Sequence, residues 1–404
     1  MHLTQYIYIF IVAAKRTRFG TMGGMFVNKS ATDLGILAST AAIQAMGLKP
    51  EKIDSVVFGH VIPGSSPDGS FLARHILLKS AIPLEKLAFA VNRLCGSGFQ
   101  AIVSGAQNIL VGESKIISTG GAENMSQAPF RVRNIRYGTV LGQKYEFEDF
   151  IWTGLFDTYC NLSMGLTAEK LGAQYKLKRE EVDQFALSNQ QRWKADYYIT
   201  TNDAGYFKDE ITPVQVKIKK QDTTISVDEH PRPQSTLETL SKLKPVFQKD
   251  GLITAGSESG ICDGASAVIL ASKEAVKAEG LKPLARLVGY SVVGVEPSIM
   301  GIGPAPAVKN LLKMTGKTLD DIELVEIVEE FGAQTLACAK ELNLDLNKLN
   351  VNGDAIAVGH PLAASGRITA HLVHEFRRRK AKKFGIGSAC IGGGQGIAVM
   401  VEAL

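Results

Sequence analysis

Little in this chain is extreme, and what it lacks already narrows its function. Its 404 residues contain five cysteines, Cys95, Cys160, Cys262, Cys338 and Cys390, an odd number without a C-x-x-C pair. That excludes a disulfide-stapled scaffold, gives no zinc or dithiol signature, and suits a reducing compartment. Net charge is only +5, from 45 basic and 40 acidic residues, too balanced for a dedicated nucleic-acid binder. The apolar run from Tyr6 to Ala14 is too short to span a bilayer and passes into Lys15-Arg16-Thr17-Arg18 without a small-residue cleavage site, so it reads as a strand. No acidic residue precedes Asp33, whereas Lys15, Arg16, Arg18 and Lys29 do. That bias suits import into the mitochondrial matrix, with the cytosol as the other compartment. Prolines number 14 against 40 glycines, with 45% hydrophobic and 21% charged residues. The composition is that of a folded globular chain long enough for two or three domains.

What is present is a faint duplication. Met46-Gly47 leads through Lys49-Pro50-Glu51-Lys52 into Val56-Val57-Phe58, and Thr315-Gly316 leads through Leu319-Asp320-Asp321 into Leu324-Val325. Both read as helix end, turn, strand, at an offset of 269 between Gly47 and Gly316. Ser97-Gly98 opens a helix with Phe99, Ile102, Val103, Ala106 and Ile109 on one face. Ser365-Gly366, offset by 268, opens another with Ile368, Leu372, Val373 and Phe376. Each helix precedes a strand and a Gly-rich turn. The expected fold is therefore α/β, with two duplicated halves about a pseudo-twofold and mostly parallel central sheets. The halves are residues 1–121 and 252–404. Residues 122–251, where the alternation is lost, form an inserted loop domain, and the segment after it can complete the first half. Within that domain Arg179 to Tyr198 has a helical pattern, and Pro213 to Val227 alternates like a hairpin with Lys219 to Asp222 near its turn.

Three Gly-flanked residues carry chemistry. Cys95 precedes the helix at Ser97, where open backbone N–H groups and the helix dipole favour a thiolate; a buried structural thiol is the alternative. His360, in Val358-Gly359-His360-Pro361, is placed to act as a base or as a turn residue. Cys390 sits at a strand-to-turn junction before Gly392-Gly393-Gly394; that turn lacks a P-loop Lys, and Gln395 to Glu402 alternates like a strand. If the halves superpose, the helix starts near Cys95 and His360 converge, with Cys390 at the same end. Two thiols and an imidazole among open amides make a constellation for acyl transfer.

These segments, with Met125-Ser126-Gln127-Ala128-Pro129 and Ser298-Ile299-Met300-Gly301-Ile302-Gly303-Pro304, resemble the signatures of the thiolase family. They are nearest its mitochondrial branch that cleaves 3-ketoacyl-CoA, and the likeness spans essentially the whole chain. The resemblance implies a thiolase-like fold whose loop domain lies on the CoA-binding side. It implies thiolytic cleavage of 3-ketoacyl-CoA by CoA in fatty-acid β-oxidation, without cofactor or metal, CoA being a substrate. Cys95 would carry the acyl group, His360 would activate Cys95 or the CoA thiol, and Cys390 would move the α-proton of acetyl-CoA. The N–H groups of Cys95 and Gly392 would form an oxyanion hole. Ser259 would lie beside the pantetheine arm, Met164 at the acyl end, and Arg232 near the nucleotide. A homodimer or homotetramer is implied, with acyl-CoA and CoA as partners.

The chain also departs from the family. Val328-Glu329-Glu330-Phe331 stands where the family has Asn-Glu-Ala-Phe, so an amide that by the resemblance fixes a water in a second oxyanion hole becomes an alkyl group, and Glu330 adds a charge beside the site. Losing one such donor typically costs roughly 10²–10³ in turnover, which leaves an impaired CoA-ester-binding protein as the alternative function. Ala363 replaces a Gly, and one residue is missing before Arg367, which would turn the next helix by about 100° unless the loop absorbs it. Tyr197 to Thr201 reads as a surface insertion. Arg377 to Lys383 is a basic helix end rather than a nucleic-acid patch, and His60, His75, His230, His371 and His374 form no metal-ligand pattern.

Overall fold

A computed structural model describes residues 8–198, 206–218, 221–380 and 383–404. The first half comprises β1 (Ile9–Thr17), α1 (Ala31–Met46), β2 (Ser55–Gly59), β3 (Leu87–Val91), α2 (Ser97–Leu110) and β4 (Ile116–Glu123). The intervening region carries α3 (Met164–Gln174) and α4 (Arg179–Tyr198). Then come β5 (Cys262–Ser272), β6 (Ala285–Gly294), α5 (Pro304–Thr315), β7 (Ile322–Ile327), α6 (Gly332–Leu342), α7 (Arg367–Arg379), β8 (Phe384–Ile391) and β9 (Gln395–Ala403).

Helix boundaries follow local chemistry. Ser30 and Asp33 form a reciprocal capping box at the start of α1, and Gly47 closes it in the left-handed region at φ 77°. Gly316 ends α5 in the same way at φ 65°. The two Gly-marked helix ends therefore lie at matching places in the repeat.

The strands run in one path, β7-β8-β9-β6-β1-β5-β4-β2-β3. The pairing pattern is itself duplicated. β2 is parallel to β4, while β4–β5 and β5–β1 are antiparallel; β7 is parallel to β8, while β8–β9 and β9–β6 are antiparallel. The halves join where β1 meets β6, with Ile9 opposite Leu287 and Ile11 opposite Ala285. The expectation of mostly parallel sheets is thus corrected. Each half ends in a strand that runs back along its predecessor, β9 through the tight turn at 392–394, and a tight return is antiparallel.

Helices α2 and α7 share one core against the sheet, with Phe99, Ile102 and Ala106 of one cluster-mate to Ile368, Leu372 and Phe376 of the other. On the opposite face α1 covers the first half, and α5 and α6 cover the second. Burying each large side chain here contributes about 1.5–3 kcal/mol. The shortening expected before Arg367 does not turn the apolar face of α7 to solvent: Ile368, Leu372, Val373 and Phe376 stay buried. A 3-10 turn, Leu362–Gly366, precedes the helix and leaves helical geometry at Ala364. The helix accordingly starts at Arg367, later than the expected Ser365.

The hairpin in the inserted region pairs Val214 with Ile225 and Ile218 with Gln221; residues 219 and 220 of its turn lie outside the described residues. So do 199–201 of the expected insertion, although α4 runs to Tyr198. Among the described residues, no helix is long and apolar enough to cross a membrane.

Candidate active site

Cys95 is delivered by a strained bend between β3 and α2. Leu94 sits at φ 45°, a conformation that costs a non-Gly residue on the order of 1–3 kcal/mol. Side chains hold it there: Leu94 N–H donates to Asn92 Oδ1 at 2.9 Å, and Ser97 Oγ accepts from Arg93 N–H at 2.9 Å and donates to the Leu94 carbonyl at 2.6 Å. Just beyond, Gly98 faces the backbone of Ala363 and Gly366 with no room for a Cβ, and its N–H donates to Ser365 Oγ at 3.2 Å. The two helix entrances do converge, as the duplication implied.

The second half supplies the partners. Gly359, at φ 91°, turns the chain so that His360 N–H bonds the Gly260 carbonyl at 3.0 Å. Ser259 N–H bonds the Glu330 carbonyl at 3.0 Å and Gly332 N–H bonds that of Ser257 at 2.8 Å. These three bonds stitch the Ser257–Gly260 strip between the Glu330 and His360 segments. Cys390, at the end of β8, is wholly buried.

One cavity of about 550 Å³ collects Cys95, His360, Ser259, Met164, Arg232 and Glu330 on its wall. Gly392 lies between Leu94 and Met164, with its N–H directed at the Cys95 sulfur. Cys390 lies beneath, facing the same Glu330 carboxyl as Cys95. Arg232 is exposed, and its guanidinium is folded onto the carbonyls of its own loop, 3.3 Å from that of Glu229. Every candidate residue therefore meets in or against one space, Cys390 from below and Arg232 at the exposed part of its wall.

The electrostatics differ from expectation at Cys95. The helix entrance was expected to favour its thiolate, but burial, followed by the charge of Glu330, pushes the thiol well above its ordinary value; the N–H groups of Gly392 and Cys95 oppose this only in part. Cys390 is raised by burial and then by Glu330 as well. Burial holds His360 down at about 4, so its imidazole is neutral. Burial lifts Glu330 to about 7, against the hydrogen-bonding pull of both sulfurs. Donor atoms of Cys95, Glu330 and His360 lie within 4.8 Å of one another, a set of types that could hold a soft divalent ion, though only by occupying the thiol.

Residues 9–274 match the family model of the thiolase N-terminal domain, and residues 281–403 that of the thiolase C-terminal domain. The chain belongs to the thiolase family. It is 56% identical over 395 residues to the mitochondrial 3-ketoacyl-CoA thiolase of Bos taurus, covering 98% of each chain. The crystal structure of human mitochondrial 3-ketoacyl-CoA thiolase superposes with a TM-score of 0.95 at 55% identity, covering 98% of this chain and 99% of that one. A second human structure, in complex with CoA, gives 0.93 at 54% identity, covering 98% of both.

The two positions expected to depart from the family behave oppositely. Val328 is 1% exposed and packs in the core shared by α2 and α7, away from the cavity wall. Glu330 takes the wall instead. Sequence reasoning registered Glu330 only as an added charge; two adjacent acids closing an apolar strand were the available signal, and which of them faces the cavity is a matter of backbone direction.

Proposed function

We propose that this chain cleaves 3-ketoacyl-CoA with CoA, giving acetyl-CoA and a shortened acyl-CoA, in mitochondrial fatty-acid β-oxidation. The observation that carries the reading is the meeting of Cys95, His360 and Cys390 at one cavity of about 550 Å³ in a thiolase chain. Cys95 attacks the 3-keto carbon. The C2–C3 bond breaks, and acetyl-CoA leaves as an enolate that Cys390 protonates at C2. CoA then takes the acyl group from Cys95. Carbon–carbon cleavage places negative charge on two carbonyl oxygens in turn, so preorganised donors matter most. The Cys95 and Gly392 N–H groups serve one of them. His360, neutral and with Nε2 free of a well-aligned partner, donates to the thioester oxygen or receives the proton of the CoA thiol. Ser259 stands beside the pantetheine arm, Met164 at the acyl end and Arg232 at the nucleotide end.

The chain needs no cofactor, CoA being a substrate. Its reading as a CoA-ester binder without chemistry is not favoured, because the loss at Val328 leaves the reactive residues together. We infer a homo-oligomer as well. β3 is a sheet edge that exposes Leu87 at 76% and Phe89 at 45%, and an apolar open edge calls for a covering partner. Light scattering of the purified chain tests this, and a monomer at micromolar concentration would refute it.

The test of function is thiolysis of acetoacetyl-CoA. Purified protein should release acetyl-CoA with ping-pong kinetics and, after a quenched single turnover, carry an acyl group on Cys95. Binding of CoA with neither product would overturn the reading.

A further inference from the structure

The Glu330 carboxyl is placed against both reactive sulfurs. It is 5% exposed, faces Cys95 and Cys390, and has Oε1 4.0 Å from His360 Nε2. Neither Oε1 nor that Nε2 has a well-aligned hydrogen-bond partner although both are buried. Such orphaned atoms are costly, and they point to a site where protons move or substrate arrives. Nothing structural is gained in compensation, because no cation pairs with Glu330 among the described residues; the nearest charged-type partner is the neutral His360. The backbone bond from Ser259 to the Glu330 carbonyl fixes the residue in place.

Resting on the thiolytic reading, we propose that Glu330 is a catalytic proton carrier between the two sulfurs. Its carboxylate takes the proton of the Cys95 thiol as the new S–C bond forms at the keto carbon. The C2–C3 electron pair leaves as the acetyl-CoA enolate, and the Cys390 thiol protonates C2, becoming a thiolate. Glu330 then returns its proton to Cys390. The net transfer is one proton from Cys95 to the acetyl methyl group, and both Cys390 and Glu330 end as they began. No solvent proton is needed in the first half-reaction, which suits cysteines that are 8% and 0% exposed. The geometry also resolves an apparent conflict: a fixed negative charge beside Cys95 opposes a free thiolate, whereas a base in that position removes the proton only as the bond forms.

The experiment measures single-turnover acylation of Cys95 by acetoacetyl-CoA between pH 5.5 and 8.5 in the wild type, Glu330→Gln, Glu330→Ala and Glu330→Asp. Melting temperature and CoA affinity report on folding. The acceptor must be ionised, so the wild-type rate should rise with pH and level off near the Glu330 value of about 7. Groups facing Glu330 are Cys95, Cys390 and His360; Glu258, Asp149, His230 and Arg232 complete the titratable lining. Glu258 also sits at about 7, so the limb is assigned to Glu330 by its loss in Glu330→Gln and its persistence in Glu258→Gln. Glu330→Gln keeps the shape without the proton and should acylate roughly 10²–10⁴-fold more slowly, with Glu330→Asp partly restoring both rate and limb. Acylation by Glu330→Gln or Glu330→Ala at or above the wild-type rate would overturn the proposal and make Glu330 a mere electrostatic hindrance. Should neither variant fold, a wild-type rate that is flat from pH 6 to 8 would overturn it equally. A wild type that never acylates Cys95 refutes the thiolytic reading and the relay together; an active wild type matched by Glu330→Gln refutes the relay alone.

Discussion

Helices α2 and α7 occupy equivalent places in the duplicated halves and share a core, yet they are built differently. α2 buries Phe99, Ala101, Ile102, Val103 and Ala106, an apolar face without a buried charge. α7 buries Arg367, Thr369, His371 and Glu375 beside its apolar face. His371 Nδ1 lies 2.9 Å from Glu210, which also receives Arg16 Nε at 2.7 Å. Arg16 further grips Asp228 through two bonds of 2.8 and 2.9 Å. β1 of the first half, the inserted region and α7 of the second are thereby tied by one buried ion cluster. Duplication supplied a common scaffold, and divergence put Cys95, the proposed nucleophile, before one copy of the helix and a polar anchor along the other.

The same asymmetry governs function, and Cys95→Ala breaks it most severely. With the nucleophile gone, thiolysis should fall by roughly 10⁴–10⁶ while CoA affinity changes little, the scale seen when a covalent nucleophile is removed. Kinetics and calorimetry on one preparation check both halves of that statement. Cys390→Ala should lower turnover by roughly 10²–10⁴ and abolish α-proton exchange of acetyl-CoA, followed by deuterium uptake. Retained exchange would place the proton donor elsewhere.

On the stability side, Glu210→Gln leaves Arg16 and His371 short of their shared counter-ion inside the protein. Chemical denaturation should show a loss of roughly 3–5 kcal/mol, and no comparable loss is expected from polar changes on the exposed side of α2. The pH dependence sharpens the contrast. Burial alone would push the His371 imidazole down, but Glu210, by charge and hydrogen bond, and then Glu326 and Glu375 hold it at about 9. The folded value lies above the ordinary 6.5, so this stabilisation is complete below that pH and disappears as pH rises through about 9. It amounts to on the order of 3 kcal/mol. The melting temperature should therefore decline between pH 6.5 and 9, and His371→Gln should flatten the decline. The smallest effect belongs to Val328→Asn, which returns the family residue to a position that this chain has packed with apolar neighbours. An amide there should destabilise by about 1–3 kcal/mol and change turnover less than tenfold; a large gain in thiolysis would show that the natural chain is short of an oxyanion donor that Glu330 does not replace.

Much of the site was legible before any coordinates. Cys95, His360 and Cys390 announce themselves through flanking glycines at helix entrances and a hairpin, because close backbone approach and positive φ demand glycine at Gly98, Gly359, Gly393 and Gly394. The paired offsets disclosed the duplication, since helix ends and strand starts repeat with chain distance. The antiparallel returns of β5 and β9 were not legible, because strand direction depends on where a segment comes back from, not on its own pattern. Nor was the sign of the Cys95 shift. Local sequence offered a helix entrance, but burial, and after it a carboxyl 235 positions further along the chain, reversed its effect.

By itself, then, the order of residues determined the elements, their repetition and the choice of candidate reactive groups, all of which depend on neighbours within a few positions. Only the tertiary structure decided that Val328 turns into the core while Glu330 turns to the sulfurs, and that Arg16, Glu210 and His371 share one charge cluster. Burial and electrostatic coupling act across space, and chain proximity carries no record of either.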